Sequence, residues 1–308
     1  MALYIHVPFC KTKCPYCDFN TYQGIERMMD PYMGAVTQEI TQWGRVLEGA
    51  AVNSVFFGGG TPSYLNEGSI DRILESARSS FQLKDGAEIT IEANPGDLDL
   101  PACQRLINAG VNRLSIGVQS LDNELLSLLG RRHDADQAMA ALAIARSGGF
   151  SNINLDFMYG LPHQTMLQWQ DTMQRMVSQH PDHISLYCLT LEEGTPLHRW
   201  VETGKLPQAD EDLAAEEGDE VLVHLAEGFH HLVFQVGFLE GNEVAPASLD
   251  GGGLLQEEEE VDRDQQEAEG VAEEAEDLDR HVGGLRHACR RNGKGKRGGD
   301  DSGCFSHC

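Results

Sequence analysis

Beyond residue 215 the chain has no tyrosine, tryptophan, methionine, isoleucine or threonine, and one proline. All seven Tyr, all three Trp and all nine Met come earlier. The same segment holds 15 of the 33 Gly and 23 acidic against 8 basic residues. So little large apolar material excludes a second well-packed core there. The change at Glu216 divides the chain into a folded domain, 1–215, and an acidic Gly/Glu-rich tail, 216–308, expected to be disordered. Losing whole residue types at one point suggests a shifted reading frame or a misassigned end of the coding region. Basic residues are scarce throughout, 23 against 49 acidic, for a net charge of −26. That balance excludes non-specific attraction to nucleic acid or anionic lipid. No apolar run reaches the roughly 18 residues of a membrane span. Met1–Val7 lacks the basic start and the length of a signal peptide. The eight cysteines are therefore expected in a reducing cytoplasm, where clustered Cys means metal or redox chemistry rather than disulfides.

Three of those cysteines stand together. Tyr4 to Cys17 reads Tyr-Ile-His-Val-Pro-Phe-Cys-Lys-Thr-Lys-Cys-Pro-Tyr-Cys, with Cys10, Cys14 and Cys17 in a CxxxCxxC array. Three thiolates on one short loop cannot complete a four-ligand structural zinc site. An iron–sulfur cluster held by three cysteines keeps one iron open for a ligand that is not protein. Three readings stand on spacing alone: a [4Fe–4S] cluster, a zinc site completed by a distant group such as His6, and three unrelated thiols.

The array lies between a first strand, Ala2–Val7, and a helix over 30–47 with Asp30 as N-cap and Pro31 at its first position. Apolar runs predict further strands at 52–57, 88–93, 113–118, 152–158 and 183–189. Helical periodicity fills the gaps at 69–81, 100–109, 123–129, 135–146 and 167–179. Val221–Val236 is apolar without a clean period and fits a helix or a strand. Six strands alternating with helices predict an α/β fold with a parallel sheet. In such barrels chemistry collects where strands end, and polar signals stand there: the cysteine loop, Gly58–Pro62, Glu92, Gln119 and Asp156.

These motifs resemble the radical S-adenosylmethionine (SAM) family. Within it they are most similar to the branch of oxygen-independent coproporphyrinogen III oxidases and heme chaperones of the HemW type. The resemblance rests on Tyr4–Cys10, Cys14-Pro-Tyr-Cys17-Asp-Phe, Phe57-Gly-Gly-Gly-Thr-Pro62, Ile91-Glu-Ala-Asn-Pro95, Ile116-Gly-Val-Gln-Ser120 and Asp156-Phe-Met-Tyr-Gly-Leu-Pro162, and covers about residues 2–215. It implies a partial (β/α)6 TIM-like barrel, with Cys10, Cys14 and Cys17 holding a [4Fe–4S] cluster whose open iron chelates SAM. One electron from the reduced cluster then cleaves the sulfonium to methionine and a 5′-deoxyadenosyl radical. It further implies SAM or cluster contacts from Tyr4, Tyr16, Gly59, Gly60, Thr61, Glu92, Gln119, Arg131 and Asp156. Arg132 beside Arg131 is expected to be a solvated charge, although one residue of misregister would exchange them.

Two departures sharpen the expectation. The oxidases carry a further cysteine two residues after the third ligand, where this chain has Phe19, and they have an extension before the first strand. The chaperones have a C-terminal HNxxYW signature, and nothing like it follows Glu216. The expected function is a HemW-like heme chaperone with a [4Fe–4S] cluster, SAM and heme. Its partners would be heme-accepting respiratory proteins and an electron donor for the cluster. The rivals are an oxidoreductase of the coproporphyrinogen dehydrogenase type, which takes porphyrinogen propionates to vinyls, and a non-catalytic metal-binding module.

Overall fold

The computed structural model describes residues 1–210, 212–218 and, for the backbone alone, 233–238. Seven parallel strands form one sheet in chain order. They are β1 (Ala2–Val7), β2 (Ala51–Gly59), β3 (Gln82–Ala93), β4 (Arg113–Gln119), β5 (Ile153–Tyr159), β6 (His183–Cys188) and β7 (Val233–Phe238). Between them run α1 (Met29–Val46), α2 (Ser69–Ser80), α3 (Leu100–Ala109), α4 (Asn123–Leu128), α5 (Ala135–Gly148), α6 (Met166–Val177) and α7 (Pro196–Glu202). Every strand pairs in parallel with the next, and no pairing joins β7 to β1 among the described residues. The sheet is thus open, as expected of a partial barrel.

The side-chain pattern explains the geometry. On β4 and β5, Leu114, Ile116, Val118, Ile153, Leu155 and Phe157 are buried in the main apolar cluster. Ile184 and Leu186 of β6 and Phe57 of β2 belong to the same cluster, with Trp169, Met173 and Met176 of α6. The alternate positions Arg113, Ser115, Gly117, Asn154, Asp156, Ser185 and Tyr187 line a cavity instead. Since successive side chains point to opposite faces of a strand, one face of the sheet is apolar under the helices and the other is polar. The strands read as short apolar runs in the sequence, yet they alternate.

Four elements differ from expectation, one of them α7, which the sequence periodicity does not predict. α1 starts at Met29 with no side-chain cap. Asp30 instead accepts a hydrogen bond from Asn66 Nδ2 at 3.3 Å, while Pro31 sits in the first turn, where its missing N–H costs nothing. β3 begins at Gln82, and a register shift between Val52 and Ser54 of β2 takes up the extra residues. A seventh strand is present at Val233–Phe238, overlapping the end of the stretch left open between helix and strand, Val221–Val236.

The sheet contacts do not stop at residue 215. Residues 212–218 are helical. Glu217 is fully buried, its Oε2 accepts from the Gly160 N–H at 2.9 Å, and its carbonyl accepts from Trp169 Nε1 at 2.9 Å. The disorder and the shifted reading frame expected of the tail otherwise concern residues 219–232 and 239–308, which lie outside the described residues.

Candidate metal and cofactor site

The loop after β1 is closed on itself by backbone. Tyr22 N–H donates to Pro8 O at 2.7 Å and Cys10 N–H donates to Tyr22 O at 2.9 Å. The end of β2 is stitched to the same loop, through Gly60 N–H to Val7 O at 2.7 Å and Thr61 N–H to Phe9 O at 2.9 Å. This forces close approach: a Cβ on Gly60 would stand 2.7 Å from both Val7 O and Phe9 O and 3.1 Å from Cys10 Sγ. Gly59 has φ +110°, and a Cβ there would overlap the His6 ring. Both glycines are thus required by geometry. Thr61 Oγ1 lies 3.7 Å from Cys10 Sγ, as a weak donor.

A cavity of about 300 Å³ opens between this loop and the polar face of the sheet. Cys10, Cys14, Cys17, Tyr16, Gly59, Gly60, Thr61, Glu92, Gln119, Arg131 and Asp156 all line it. Tyr4 is not brought there. It is 61% exposed, stacked on Phe56 and hydrogen-bonded to His6 Nδ1 at 3.1 Å.

Arg131 reaches the cavity because of how α4 ends. Gly130 (φ +64°) follows the helix, its N–H bonds Ser127 O at 3.0 Å, and Arg131 N–H bonds Leu126 O at 2.9 Å. This is a Schellman ending, which needs a left-handed residue at that place. A Cβ on Gly130 would also meet Pro15 Cδ at 2.7 Å, so the turn packs on the cysteine loop. Arg131 then donates to Gly117 O at 2.6 Å and stands 3.7 Å from Cys14 Sγ and 3.5 Å from Tyr16 Oη. Its Nε is buried without a partner. Arg132 also edges the cavity, but its Nη2 donates to both oxygens of Asp97 at 2.9 Å. The two arginines are separated by their partners, and the expected solvated charge is an ion pair. Buried His133 holds the same turn, with Nε2 3.0 Å from Val118 O.

Two carboxylates line the cavity, Glu92 from β3 and Asp156 from β5. Glu92 accepts from Gly59 N–H at 3.0 Å. Burial and then the Asp156 charge push its carboxyl up to about 8, against the Gly59 N–H. Asp156 is also pushed up by burial, opposed by hydrogen bonds from Ser115 Oγ at 3.0 Å and Asn154 Nδ2 at 2.7 Å. Asn154 Nδ2 also donates to Ser115 Oγ at 2.8 Å, and its Oδ1 accepts from Ser185 at 3.2 Å. Sequence reasoning missed this network and Tyr187. The signal that finds them is the polar–apolar alternation in Arg113–Gln119, Asn154–Phe157 and Ser185–Tyr187. Gln119, at the end of β4, takes φ +70° beside a register shift between Gly117 and Gln119.

The donor set fits a multi-iron cluster better than one zinc. Among the described residues no three His, Cys, Asp or Glu side chains are grouped so as to hold a metal ion. All three thiols line this one cavity, and a cluster takes one thiolate per iron, so three thiols hold three irons and leave the fourth open. His6 is not a free fourth ligand, since both ring nitrogens are engaged, with Tyr4 Oη at 3.1 Å and Asn20 O at 3.0 Å. Burial pushes the Cys17 thiol up, and a metal binding as thiolate must overcome that. Beside the thiols, the unpartnered Arg131 Nε and the carboxyl of Glu92 suit a zwitterionic ligand with a carboxylate and an ammonium.

Comparison with known proteins agrees with this geometry. The Radical SAM superfamily model matches residues 4–176. The chain is 42% identical over 226 residues to the mouse radical S-adenosyl methionine domain-containing protein 1, mitochondrial, covering 72% of this chain and 51% of that protein. It is 38% identical over 242 residues to the heme chaperone HemW of Synechocystis, covering 75% of this chain and 57% of that protein. The solved coproporphyrinogen III oxidase (HemN) of Escherichia coli superposes with a TM-score of 0.68 at 32% identity, covering 73% of this chain and 52% of that one. The chain thus spans between half and three fifths of the length of these relatives. With three cysteines on the loop after the first parallel strand, a glycine-lined approach at the second and a family match over 4–176, the chain belongs to the radical SAM superfamily.

Proposed function

We propose that the chain is a HemW-like heme chaperone: it binds a [4Fe–4S] cluster through Cys10, Cys14 and Cys17, binds SAM in the cavity beside them, and passes heme to acceptor proteins. The observation that carries this reading is the cavity wall itself. Three thiols stand on it, and Phe19 lines it where the oxidase resemblance expects a further cysteine. When bound, the cluster supplies an open iron and one electron for SAM cleavage.

The residues of the chain have separate tasks in this reading. Gly59, Gly60 and Thr61 let the ligand approach the backbone and keep Cys10 in place. Arg131 grips the methionine carboxylate of SAM through its free Nε–H. Glu92 and Gln119 accept from ammonium or ribose groups. Asp156, held by Ser115 and Asn154, closes the floor. Tyr16 shields Cys14 from water. The partners are heme, respiratory proteins that accept it, and an electron donor. A reducing compartment is required, the cytosol in the reading from sequence. The names of some relatives place them in mitochondria. No helix among the described residues is long and apolar enough to cross a membrane.

Anaerobic reconstitution followed by two assays tests this. Heme transfer to an apo-acceptor without conversion of coproporphyrinogen supports the chaperone. Vinyl products from coproporphyrinogen support the second reading, oxidative decarboxylation, which the 32% identical structural match to an enzyme of that name favours.

A further inference from the structure

After Cys17 the chain runs through Asp18, Phe19, Asn20 and Thr21 before Tyr22 rejoins the β1 end. Side chains capture three successive carbonyls of that segment. Lys13 Nζ donates to Phe19 O at 2.8 Å and to Thr21 O at 3.2 Å. From the opposite side His6 Nε2 meets Asn20 O at 3.0 Å. A carbonyl oxygen only accepts, so Nε2 carries the proton. In the neutral imidazole Nδ1 is then bare, and the hydroxyl of Tyr4, 3.1 Å away, is its donor. The ring lies against Gly59, where any side chain would overlap it. His6 thus touches both walls of the thiol-bearing cavity: the segment that follows Cys17 and the glycine end of β2.

We infer that Tyr4 and His6 are positioning residues, forming a relay from Tyr4 Oη–H to His6 Nδ1 and from His6 Nε2–H to Asn20 O. With Lys13, the relay clasps residues 19–21 and fixes Cys17 relative to Gly59–Thr61. The inference rests on the cluster reading of the cavity. It gives Tyr4 a task that its exposed place outside the cavity lining allows: it donates to the bare Nδ1 of His6 and so supports the tautomer that the Asn20 carbonyl selects. The clasp demands chemistry as well as shape. A ring of equal size without an N–H does not replace His6, whereas a glutamine, which presents an N–H at similar reach, does.

The test uses the full chain, reconstituted with iron and sulfide without oxygen, and compares wild type with His6→Phe, His6→Gln and Tyr4→Phe. Two readouts are taken: the rate of iron loss to a ferrous chelator, and the ring ¹⁵N shifts of His6 in the metal-free chain. His6→Phe is expected to speed iron loss about two- to tenfold, the range one net hydrogen bond supports. His6→Gln recovers most of the wild-type rate, and Tyr4→Phe falls between. The ¹⁵N shifts report the Nε2–H tautomer in wild type and still in Tyr4→Phe, where the Asn20 carbonyl continues to select it and only the Nδ1 shift changes as it loses its donor. Iron retention by His6→Phe equal to wild type reduces His6 to packing and overturns the inference, as does an Nδ1–H tautomer. If the wild-type chain takes up no iron, the cluster reading fails, and the ¹⁵N shifts still decide the relay. Should His6→Phe fail to fold, Tyr4→Phe, which removes one oxygen from an exposed side chain, carries the comparison.

Discussion

The guanidinium of Arg131 stands 3.7 Å from the thiol of Cys14, while the next residue, Arg132, turns away to grip Asp97 with bonds of 2.9 Å. Adjacent arginines therefore have unlike tasks, and substitution separates them. Arg131→Met is expected to weaken SAM binding at least tenfold, and, because it also loses the 2.6 Å bond to Gly117 O, to lower the thermal midpoint as well. Arg132→Met breaks an ion pair whose side chains are 19% and 11% exposed. It should cost about 1.5–3 kcal/mol of stability, typical of hydrogen bonds to charged groups, with SAM affinity held within about threefold. Equilibrium dialysis of SAM and thermal denaturation distinguish the pair.

The raised carboxyl of Glu92 predicts a pH dependence with a definite sign. Its ordinary value is 4.5, and in the fold it lies at about 8. Between those values the folded chain binds more protons than the unfolded chain, so stability falls as pH rises through the window. Glu217, pushed to about 7 by burial, adds the same sign at the lower end. Glu92→Gln keeps an acceptor for Gly59 N–H and removes the ionisation. Its thermal midpoint should match wild type near pH 5 and exceed it near pH 8.5. Equal slopes for the two proteins between pH 7 and 8 would contradict the placement of Glu92.

Much of this arrangement is legible in the sequence, for identifiable reasons. Glycine ends, cysteine spacing and apolar runs are local signals that locate the six βα units and the polar strand ends; Tyr16 and Arg131 come from the family resemblance, and eleven of the twelve expected site residues line one cavity. Tyr4 misleads because spacing along β1 does not say which way an edge-strand side chain turns. The floor of Ser115, Asn154 and Ser185 is hidden because Ser and Asn between large apolar residues read as interruptions rather than as the second face. Glu217 is beyond sequence reasoning. An acidic residue in an acidic segment gives no sign that its carboxylate is buried against the Gly160 N–H.

Gly60 and Gly34 make a contrast of glycines. A Cβ on Gly60 collides with Val7 O, Phe9 O and Cys10 Sγ, while one on Gly34, inside α1, meets nothing within 4 Å. Gly60→Ala should reduce iron uptake on reconstitution several-fold by displacing Cys10. Gly34→Ala should raise stability by about 0.5–1 kcal/mol through the lower helix cost of alanine, with iron uptake unchanged. Iron assay and thermal melting read both.

The burial of Glu217 makes it part of the barrel. Glu217→Ala leaves the Gly160 N–H without its 2.9 Å partner and should cost about 1–3 kcal/mol, the desolvation penalty of an unmet donor. Urea unfolding monitored by the fluorescence of Trp169, whose indole donates to the Glu217 carbonyl at 2.9 Å, follows the loss directly. A change under about 0.3 kcal/mol, within the range of ordinary surface substitutions, would mean that the contact contributes nothing.

The central claim is that three thiols on one cavity wall hold a cluster with an iron left for SAM. Anaerobic reconstitution of the full chain, with iron and acid-labile sulfide counted per chain and the reduced form followed by electron paramagnetic resonance with and without SAM, tests it most directly. Four irons per chain and a spectrum that changes when SAM is added are the predicted result, with uptake abolished in Cys14→Ala. One iron or zinc per chain, or a spectrum indifferent to SAM, would contradict it.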